Sequence, residues 1–348
     1  MIRVAWITRC TELESDLIKA CEESQDVDLD LFWASTPAPD IYSAKYFARQ
    51  KVATSCEERI AMMETAAAGD YDLYVFRYPS WIEDQGLTQT FHRLFHDLPV
   101  VGWSSEQGPT RRWAISAVRD FKCVAVNTRT EIELYRFRYP KKKLLYLPFG
   151  CRRLFADETT TKEEFRCDVI SDGACHFGCN EEGGWKRRSV EALVRPVAAC
   201  SDWDFACWGH DTEPCGWLSV PEIRERGLYK GGYHSRDYGH VYASAKIYLG
   251  ISWNWSYGGF GMKLARALGA GAAVLWHRTA GAERDGIVDG KQLLFTSNAE
   301  ETKERIDLLL RDEELRAKLS ENGRRFALDN WEWTKNLQRL CDEVNSNE

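Results

Sequence analysis

A glycine-rich stretch followed by a lysine lies between two apolar runs in the second half of the chain. Residues 257–261 read YGGFG, and Lys263 stands two positions further on. Glycine lets the backbone take positive φ and approach a ligand closely, and the unpaired N–H groups at a helix start attract anions. A lysine in that first turn adds a positive charge. The pattern therefore predicts an anion-binding loop, although glycine content alone is equally typical of a tight crossover in an α/β protein.

A basic cluster opens another predicted helix. Lys186, Arg187 and Arg188 follow the strand-like run 168–172 and a loop that contains several glycines. Cations at a helix start oppose the helix dipole, so their position indicates a bound anion such as a diphosphate. For Arg188 we favour a solvated surface side chain. For Lys186 and Arg187 both interpretations stay open.

The elements that would position these residues alternate between strand and helix. Apolar runs typical of buried parallel strands lie at 4–7, 29–33, 72–76, 99–103, 123–126 and 144–150. Short connections with helices between them predict a parallel sheet covered on both faces. A polar stretch, 151–166, is interpreted as an interdomain linker, and a second α/β set follows it. We therefore expect an α/β protein with domains at 1–155 and 165–332 and a terminal helix within 333–348.

Composition limits the class of protein. The 348 residues suffice for two domains with separate cores, and the first apolar run is too short for a signal peptide or a membrane span. Twelve cysteines without compact spacing predict reduced thiols, as in a cytoplasmic protein. Cys175 and Cys179 have no second ligand pair, so no metal site is predicted. A net charge of −7 argues against a dedicated polyanion binder but leaves room for local basic patches.

Residues 245–276 resemble the signature segment of GT-B glycosyltransferases, most closely the family 4 type and its CgeB-like branch. The family form reads E-G-F-G, four variable residues and then E-A-x-A-x-G, and here 260–261 and 267–271 fit in register. Residues 278–295 resemble the downstream tail of the same family. The resemblance extends over about 240–340.

The resemblance implies two Rossmann-like domains that face each other across a cleft, with a nucleotide-sugar donor, typically a UDP-sugar, held by the second. The donor-binding residues that it implies are Lys186, Arg187, His210, Tyr229, Gly259, Phe260, Gly261, Lys263 and Arg266. Gly258 and Arg266 stand where the family has glutamates, the second of which holds the ribose. Tyr229 falls where the family cradles the nucleobase, and it is equally typical of simple packing. His210, at a strand end, would bind a sugar or phosphate or cap a helix.

The same resemblance bears on metal use and on the end of the chain. In the family, basic side chains neutralise the departing diphosphate. Because no Asp-x-Asp follows a strand here, we expect no strict metal requirement and no other cofactor. The final helix is expected to return to the first domain.

Two carboxylates are candidates for the catalytic base. Inverting glycosyl transfer needs a general base within hydrogen-bond reach of the acceptor hydroxyl. Glu106, in the loop after the run 99–103, is the first candidate, and Asp84 is the second. Either residue is also typical of an ordinary loop carboxylate. A retaining mechanism, common in the family that the chain most resembles, would need no such base.

The acceptor and the class of activity leave alternatives open. Chain size and plan also resemble the T-even phage DNA glucosyltransferases, which modify hydroxymethylated cytosine and would act in a host cytoplasm. The basic, aromatic-interleaved stretches 111–113 and 136–143 suit phosphate contacts, or they are solvated helix ends. A non-catalytic GT-B-like protein that binds nucleotide or sugar is a further alternative, motivated by the missing glutamates. A Rossmann oxidoreductase is disfavoured because no G-x-G-x-x-G follows the first strand.

Overall fold

The computed structural model describes most of the chain. The stretches outside the description are 9–13, 34–50, 78–80, 83–85, 105–118, 174–183, 210–215, 234–236, 252–259 and 347–348, and for residues 14, 51–52 and 184–186 only the backbone is described. The chain divides into two compact units. Unit 1 is Met1–Gly150 with Trp331–Glu348, and unit 2 is Cys151–Asn330.

Unit 1 carries a seven-stranded sheet in the order β3-β2-β1-β4-β5-β6-β7, with parallel pairing throughout. Its strands are β1 (Ile2–Thr8), β2 (Val27–Trp33), β3 (Lys51–Val52), β4 (Leu73–Arg77), β5 (Val100–Ser104), β6 (Cys123–Val126) and β7 (Lys143–Tyr146). Its first helices are α1 (Glu14–Glu23), α2 (Cys56–Ala67), α3 (Thr88–Phe95) and α4 (Arg129–Arg138). The six predicted strands are confirmed.

Local sequence explains how these elements form. β4 and β5 are buried along their whole length, as expected of parallel strands covered on both faces. At the start of α2, the Ser55 hydroxyl accepts from the Glu58 N–H (3.1 Å) while the Glu58 carboxylate accepts from the Ser55 N–H (2.9 Å), which is a capping box. An aromatic cluster fills the core of this unit, with ring centroids 4.7–5.5 Å apart: Phe76, Phe91, Phe95 and Phe121.

Unit 2 carries a five-stranded parallel sheet in the order β12-β11-β10-β8-β9. Its strands are β8 (Cys167–Asp172), β9 (Phe205–Trp208), β10 (Ala245–Gly250), β11 (Val274–His277) and β12 (Leu294–Thr296). Its helices are α5 (Gly184–Ser189), continued by a π-helical turn (Val190–Val194) into α6 (Arg195–Ala198), then α7 (Pro221–Arg226), α8 (Tyr238–Ser244), α9 (Met262–Gly269), α10 (Ala299–Arg311) and α11 (Glu313–Asn330). The strand order reverses between β8 and β10, and open parallel sheets bind ligands outside the carboxyl ends of strands at such a switch point.

The last helix, α12 (Trp333–Asn345), lies in unit 1. The Trp333 ring is buried and packs edge-on against Trp6 (6.0 Å) and Trp103 (5.9 Å). A Cβ at Gly150 would lie 2.4 Å from the Trp333 ring, so this close approach requires a residue without a side chain. The helix thereby completes the core of unit 1.

Residues 151–166, predicted as a linker, are part of unit 2. The Arg152 guanidinium is buried and donates to the Glu158 carboxylate at 2.9 Å. Phe165 is also buried, with its ring 4.8 Å from that of Trp208. Because these side chains anchor the polar stretch, unit 1 ends at Gly150 and not at the predicted 155.

Cysteines in the described part of the chain are free thiols. Burial raises the pKa of the Cys167 thiol to about 12, which keeps it protonated and unreactive.

A separate feature concerns the helices. Of those that the structure describes, none has the length and apolar character needed to cross a membrane.

Candidate functional site

The end of β8 and the start of α9 meet at the switch point of unit 2. The Lys263 Nζ, in the first turn of α9, donates to the carbonyl oxygen of Asp172 at 2.6 Å. Gly173 follows with φ +87°, and a Cβ there would lie 1.7 Å from the Lys263 Nζ. The ammonium therefore lies directly against Gly173. Any residue with a side chain at this position would displace the ammonium. A carbonyl is neutral, so this bond orients the ammonium without cancelling its charge.

The end of β9 packs against the end of β8, backbone to backbone. Gly209 has φ +116°, and a Cβ there would lie 2.5–2.8 Å from backbone atoms of Gly173. The Trp217 Nε1 donates to the carbonyl oxygens of Gly173 (2.6 Å) and Trp208 (3.1 Å). The Tyr229 hydroxyl donates to the Gly209 carbonyl at 2.8 Å. These bonds hold the ends of β8 and β9 in fixed positions beside Lys263.

Three tyrosines converge on the carboxylate of Asp172, which is 3% exposed. The Tyr248 hydroxyl donates to Oδ1 at 2.7 Å, and Tyr242 donates to Oδ2 at 3.2 Å. Tyr233 also donates to Oδ2. Burial, and then the Asp172 charge, raises the pKa of each tyrosine well above 10.0. The hydroxyls therefore stay protonated and act as fixed donors, and the sequence analysis missed this cluster.

Arg266, predicted to bind the donor in place of the family's ribose-binding glutamate, lies beside this tyrosine cluster. The side chain is buried, and its guanidinium carbon lies 4.9 Å from the centroid of the Tyr238 ring, within cation–π range. Its positive charge opposes the rise in the pKa of Tyr233 and Tyr242. Arg266 thus supplies a buried cation whose charge acts on two of the three tyrosines that bind Asp172.

Other predicted donor residues occupy contrasting environments. Gly261 caps α9 with φ −71°, and a Cβ there would meet no atom of the described residues within 4 Å. Phe260 is buried and packs against Trp276, with ring centroids 6.5 Å apart. Arg187 is exposed and pairs with Glu191 at 3.0 Å, an arrangement that stabilises a helix only weakly.

Several predicted residues cannot be placed. Glu106, Asp84, His210 and Gly259 lie outside the described residues, and Lys186 is described by its backbone alone, in α5. The structure therefore brings together Lys263 and Tyr229 around the ends of β8 and β9, and it places Arg266 over the Tyr238 ring. The assignments of donor-binding and catalytic residues stay predictions.

A cavity of about 660 Å³ lies outside the ends of β11 and β12, within unit 2. Its lining includes Arg188, His277, Arg278 and Asn298. The His277 Nδ1 lies 2.9 Å from the Ser189 hydroxyl, and burial, then the charge of Arg188, lowers the pKa of this imidazole. The cavity is of a size typical of small-molecule sites.

The sequence matches one protein-family model. Residues 187–342 match the family described as "Glycosyl transferase-like", a region that contains β9 to β12 and Lys263. No curated protein sequence matches the chain.

Solved structures resemble the chain over its whole length. Anabaena HepE in complex with UDP and glucose has a TM-score of 0.71 at 14% identity, covering 99% of this chain and 100% of that chain. Sucrose-phosphate synthase from Thermosynechococcus elongatus has a TM-score of 0.64 at 14% identity, covering 100% of both chains. A glycosyltransferase from Rickettsia africae has a TM-score of 0.62 at 13% identity, also covering 100% of both. These likenesses confirm the predicted fold class, in which two α/β units are built as in GT-B glycosyltransferases.

Proposed function

We propose that the protein is a glycosyltransferase that moves a sugar from a UDP-sugar to an acceptor hydroxyl. The observation that carries the proposal is the ammonium of Lys263, fixed at the switch point by the Asp172 carbonyl and accommodated by Gly173. A positive charge in the first turn of a helix, two residues after the N-cap Gly261, is suited to a diphosphate. The family match and the UDP and glucose bound to HepE support this donor class, and glucose favours a hexosyl over a pentosyl donor.

The chemical step that these groups would assist is departure of the nucleoside diphosphate. Negative charge develops on its oxygens as the bond to the sugar breaks, and fixed cations stabilise such charge strongly in a preorganised site. We assign this role to Lys263, with Lys186 and Arg187 as a second source of positive charge. With lysine and arginine in these roles, a divalent metal is not strictly required.

The hydrogen bonds around Asp172 explain how the charge of Lys263 would be held in position. The Asp172 carboxylate is anchored by three tyrosine hydroxyls, so the backbone carbonyl of the same residue presents a fixed acceptor to Lys263. Arg266 stands at the position of the family's ribose-binding glutamate, and its proposed role is donor binding. Its guanidinium is buried over the Tyr238 ring.

The acceptor side of the reaction is proposed from the sequence. Glu106 is the proposed general base, with Asp84 as the second candidate and a retaining mechanism as the alternative. That the acceptor is a hydroxymethylated pyrimidine in DNA stays a prediction. The finer resemblance to the CgeB-like and phage enzymes also stays a prediction. The basic segment 136–143 is one of the stretches that motivate the DNA acceptor, and two of its five cations, Lys142 and Lys143, are bound to backbone carbonyls.

A donor screen tests the proposed function. The full chain is incubated with a panel of nucleotide sugars, and release of nucleoside diphosphate is followed by chromatography. We expect slow hydrolysis of one UDP-sugar above the uncatalysed rate, and loss of that hydrolysis in the Lys263→Ala variant. Tight UDP binding with no turnover of any nucleotide sugar would favour the non-catalytic alternative. Binding of no nucleotide at all would overturn the proposal.

A further inference from the structure

An apolar pair protrudes from unit 1 at the end of α4. Phe137 is 92% exposed, and Leu134 is 37% exposed. Residues three positions apart lie on the same face of a helix, so the two side chains form one apolar spot. Phe137 is more exposed than the other large hydrophobic side chains in the described part of the chain, and an apolar patch rimmed by polar residues is typical of an interaction site.

The charge around this apolar spot is mainly positive, with exposed Glu133 as its acidic neighbour. Residues 136–143 contain five Lys or Arg and no acidic residue, in a chain whose net charge is −7. The Lys142 Nζ donates to the carbonyl of Phe121 at 2.9 Å, and the Lys143 Nζ donates to that of Ser346 at 3.0 Å. The remaining cations, Arg136, Arg138 and Lys141, are exposed. They flank Phe137 on both sides along the chain.

We propose that this surface docks the protein onto an anionic membrane. The α4 patch is defined as Leu134, Arg136, Phe137, Arg138 and Lys141. Its cations would approach anionic lipid headgroups, while Phe137 and Leu134 enter the interface between headgroups and acyl chains. A basic helix surface with an apolar face binds membranes by this combination of charge and burial. The inference does not depend on the proposed donor or on the glycosyl transfer.

A nucleic acid fits the α4 patch less well than a lipid surface does. Residues 136–143 supply five cations, which is few for a partner whose affinity comes mainly from many phosphate contacts. Base stacking would use the ring of Phe137 but has no use for the aliphatic Leu134 beside it. A lipid interface accommodates both side chains.

Vesicle cosedimentation with the full chain tests the proposal. We expect binding to vesicles of phosphatidylcholine mixed with phosphatidylglycerol, little binding to phosphatidylcholine alone, and weaker binding as salt screens the charges. Replacing all three cations by glutamine should weaken binding about a hundredfold, since each contributes about fivefold, or ~1 kcal/mol. Phe137→Ala should weaken it roughly tenfold.

Two further variants make the test specific. Phe137→Leu keeps an apolar side chain and should retain most vesicle binding, whereas a base-stacking role would be lost. Phe155→Ala is the matched control, because Phe155 is 53% exposed but lies in unit 2 beside the acidic residues Asp157 and Glu158. Since Phe137 is almost wholly exposed, its replacement should not unfold the protein, which the melting temperature checks.

Defined outcomes overturn the proposal. Equal binding to neutral and anionic vesicles would exclude a role for the cations. Unchanged binding in both the triple-glutamine and Phe137→Ala variants would exclude the α4 patch. Binding to a DNA oligonucleotide that Phe137→Leu abolishes, together with no vesicle binding, would assign the patch to nucleic acid.

Discussion

The Lys263 Nζ lies 2.6 Å from the carbonyl oxygen of Asp172, across 91 positions of sequence. This hydrogen bond joins the first turn of α9 to the end of β8, the two elements that meet where the strand order of unit 2 reverses. It converts a flexible lysine into a positioned charge. The proposed binding of a diphosphate follows from that position.

Gly173→Ala should weaken nucleotide binding and also lower stability. The new Cβ would lie 1.7 Å from the Lys263 Nζ, and the residue has φ +87°, which costs a non-glycine residue about 1 kcal/mol or more. Displacing the ammonium should raise the Kd for UDP by roughly tenfold, as loss of one charge-assisted contact would. Calorimetry and urea unfolding measure the two effects.

Gly290→Ala is the matched control for Gly173→Ala. Gly290 has φ +78°, but a Cβ there would meet no atom within 4 Å. We expect a similar loss of stability and an unchanged Kd for UDP. If both variants left nucleotide binding intact, the position of Lys263 over Gly173 would be irrelevant to the ligand.

The tyrosines on Asp172 should make the protein sensitive to alkali. Their pKa in the folded protein is raised well above 10.0, chiefly by burial, so only the unfolded chain loses these protons when the pH first exceeds that value. Their contribution to stability is complete below pH 10.0 and is lost as the pH rises further. Tyr248→Phe should make this decline shallower by about 1.4 kcal/mol per pH unit.

At neutral pH the same substitution tests the hydrogen bond itself. Tyr248→Phe removes one donor from the buried Asp172 carboxylate and should lower the free energy of unfolding by about 1–3 kcal/mol. Urea unfolding at several pH values gives both quantities. An unchanged slope in alkali would mean that Tyr248 ionises at its ordinary pKa in the folded protein.

Glu106→Gln tests the proposed catalytic base. Glutamine keeps the shape and much of the hydrogen bonding of the side chain but is not basic, and positioned proton transfer contributes ~10²–10⁴-fold in rate. Turnover should fall by that order while donor affinity stays nearly the same.

A variant that loses donor binding with its rate intact would make Glu106 a binding residue. If neither changes, the role passes to Asp84 or to a retaining mechanism, which the anomeric configuration of the product, read by NMR, decides.

Turnover should survive removal of divalent metal ions. Lysine and arginine would supply the positive charge that a metal provides in other diphosphate sites. Assays with and without a chelator measure this directly. Complete loss of turnover that added magnesium or manganese restores would contradict the prediction.

The parts of the fold that the sequence predicts are those with a strong local pattern. Parallel strands buried on both faces read as continuous apolar runs, which is why β1, β2 and β4 to β7 are recognisable. β3 has only two residues and carries no such pattern. No residue range is predicted for α4, because exposed Leu134 and Phe137 obscure its helical period. Its capping signal was nevertheless present, since the Thr128 hydroxyl accepts from the Glu131 N–H.

The candidate site is predictable only where one stretch of sequence supplies it. The glycine loop and Lys263 are close together in the chain and are recognisable from spacing. The cluster on Asp172 draws on Tyr233, Tyr242 and Tyr248, which are 61, 70 and 76 positions away. Tyr242 lies in a helix and Tyr248 in a strand, where a tyrosine reads as core filling, and Tyr233 follows two glycines in a loop. Nothing local therefore indicates that these hydroxyls meet a carboxylate. Only the reversal of strand order brings these residues together.

The affinity of Lys263→Ala for UDP tests the central claim most directly, with Lys246→Ala as the control. Lys246 lies at the start of β10, where its Nζ pairs with Asp168 at 2.7 Å, so its removal changes the net charge equally without touching the switch point. Calorimetry should show that Lys263→Ala raises the Kd by roughly tenfold or more, since a charge-assisted contact contributes about 1.5–3 kcal/mol, while Lys246→Ala leaves it unchanged. An unchanged Kd in Lys263→Ala, or an equal rise in both variants, would contradict a diphosphate site at Lys263.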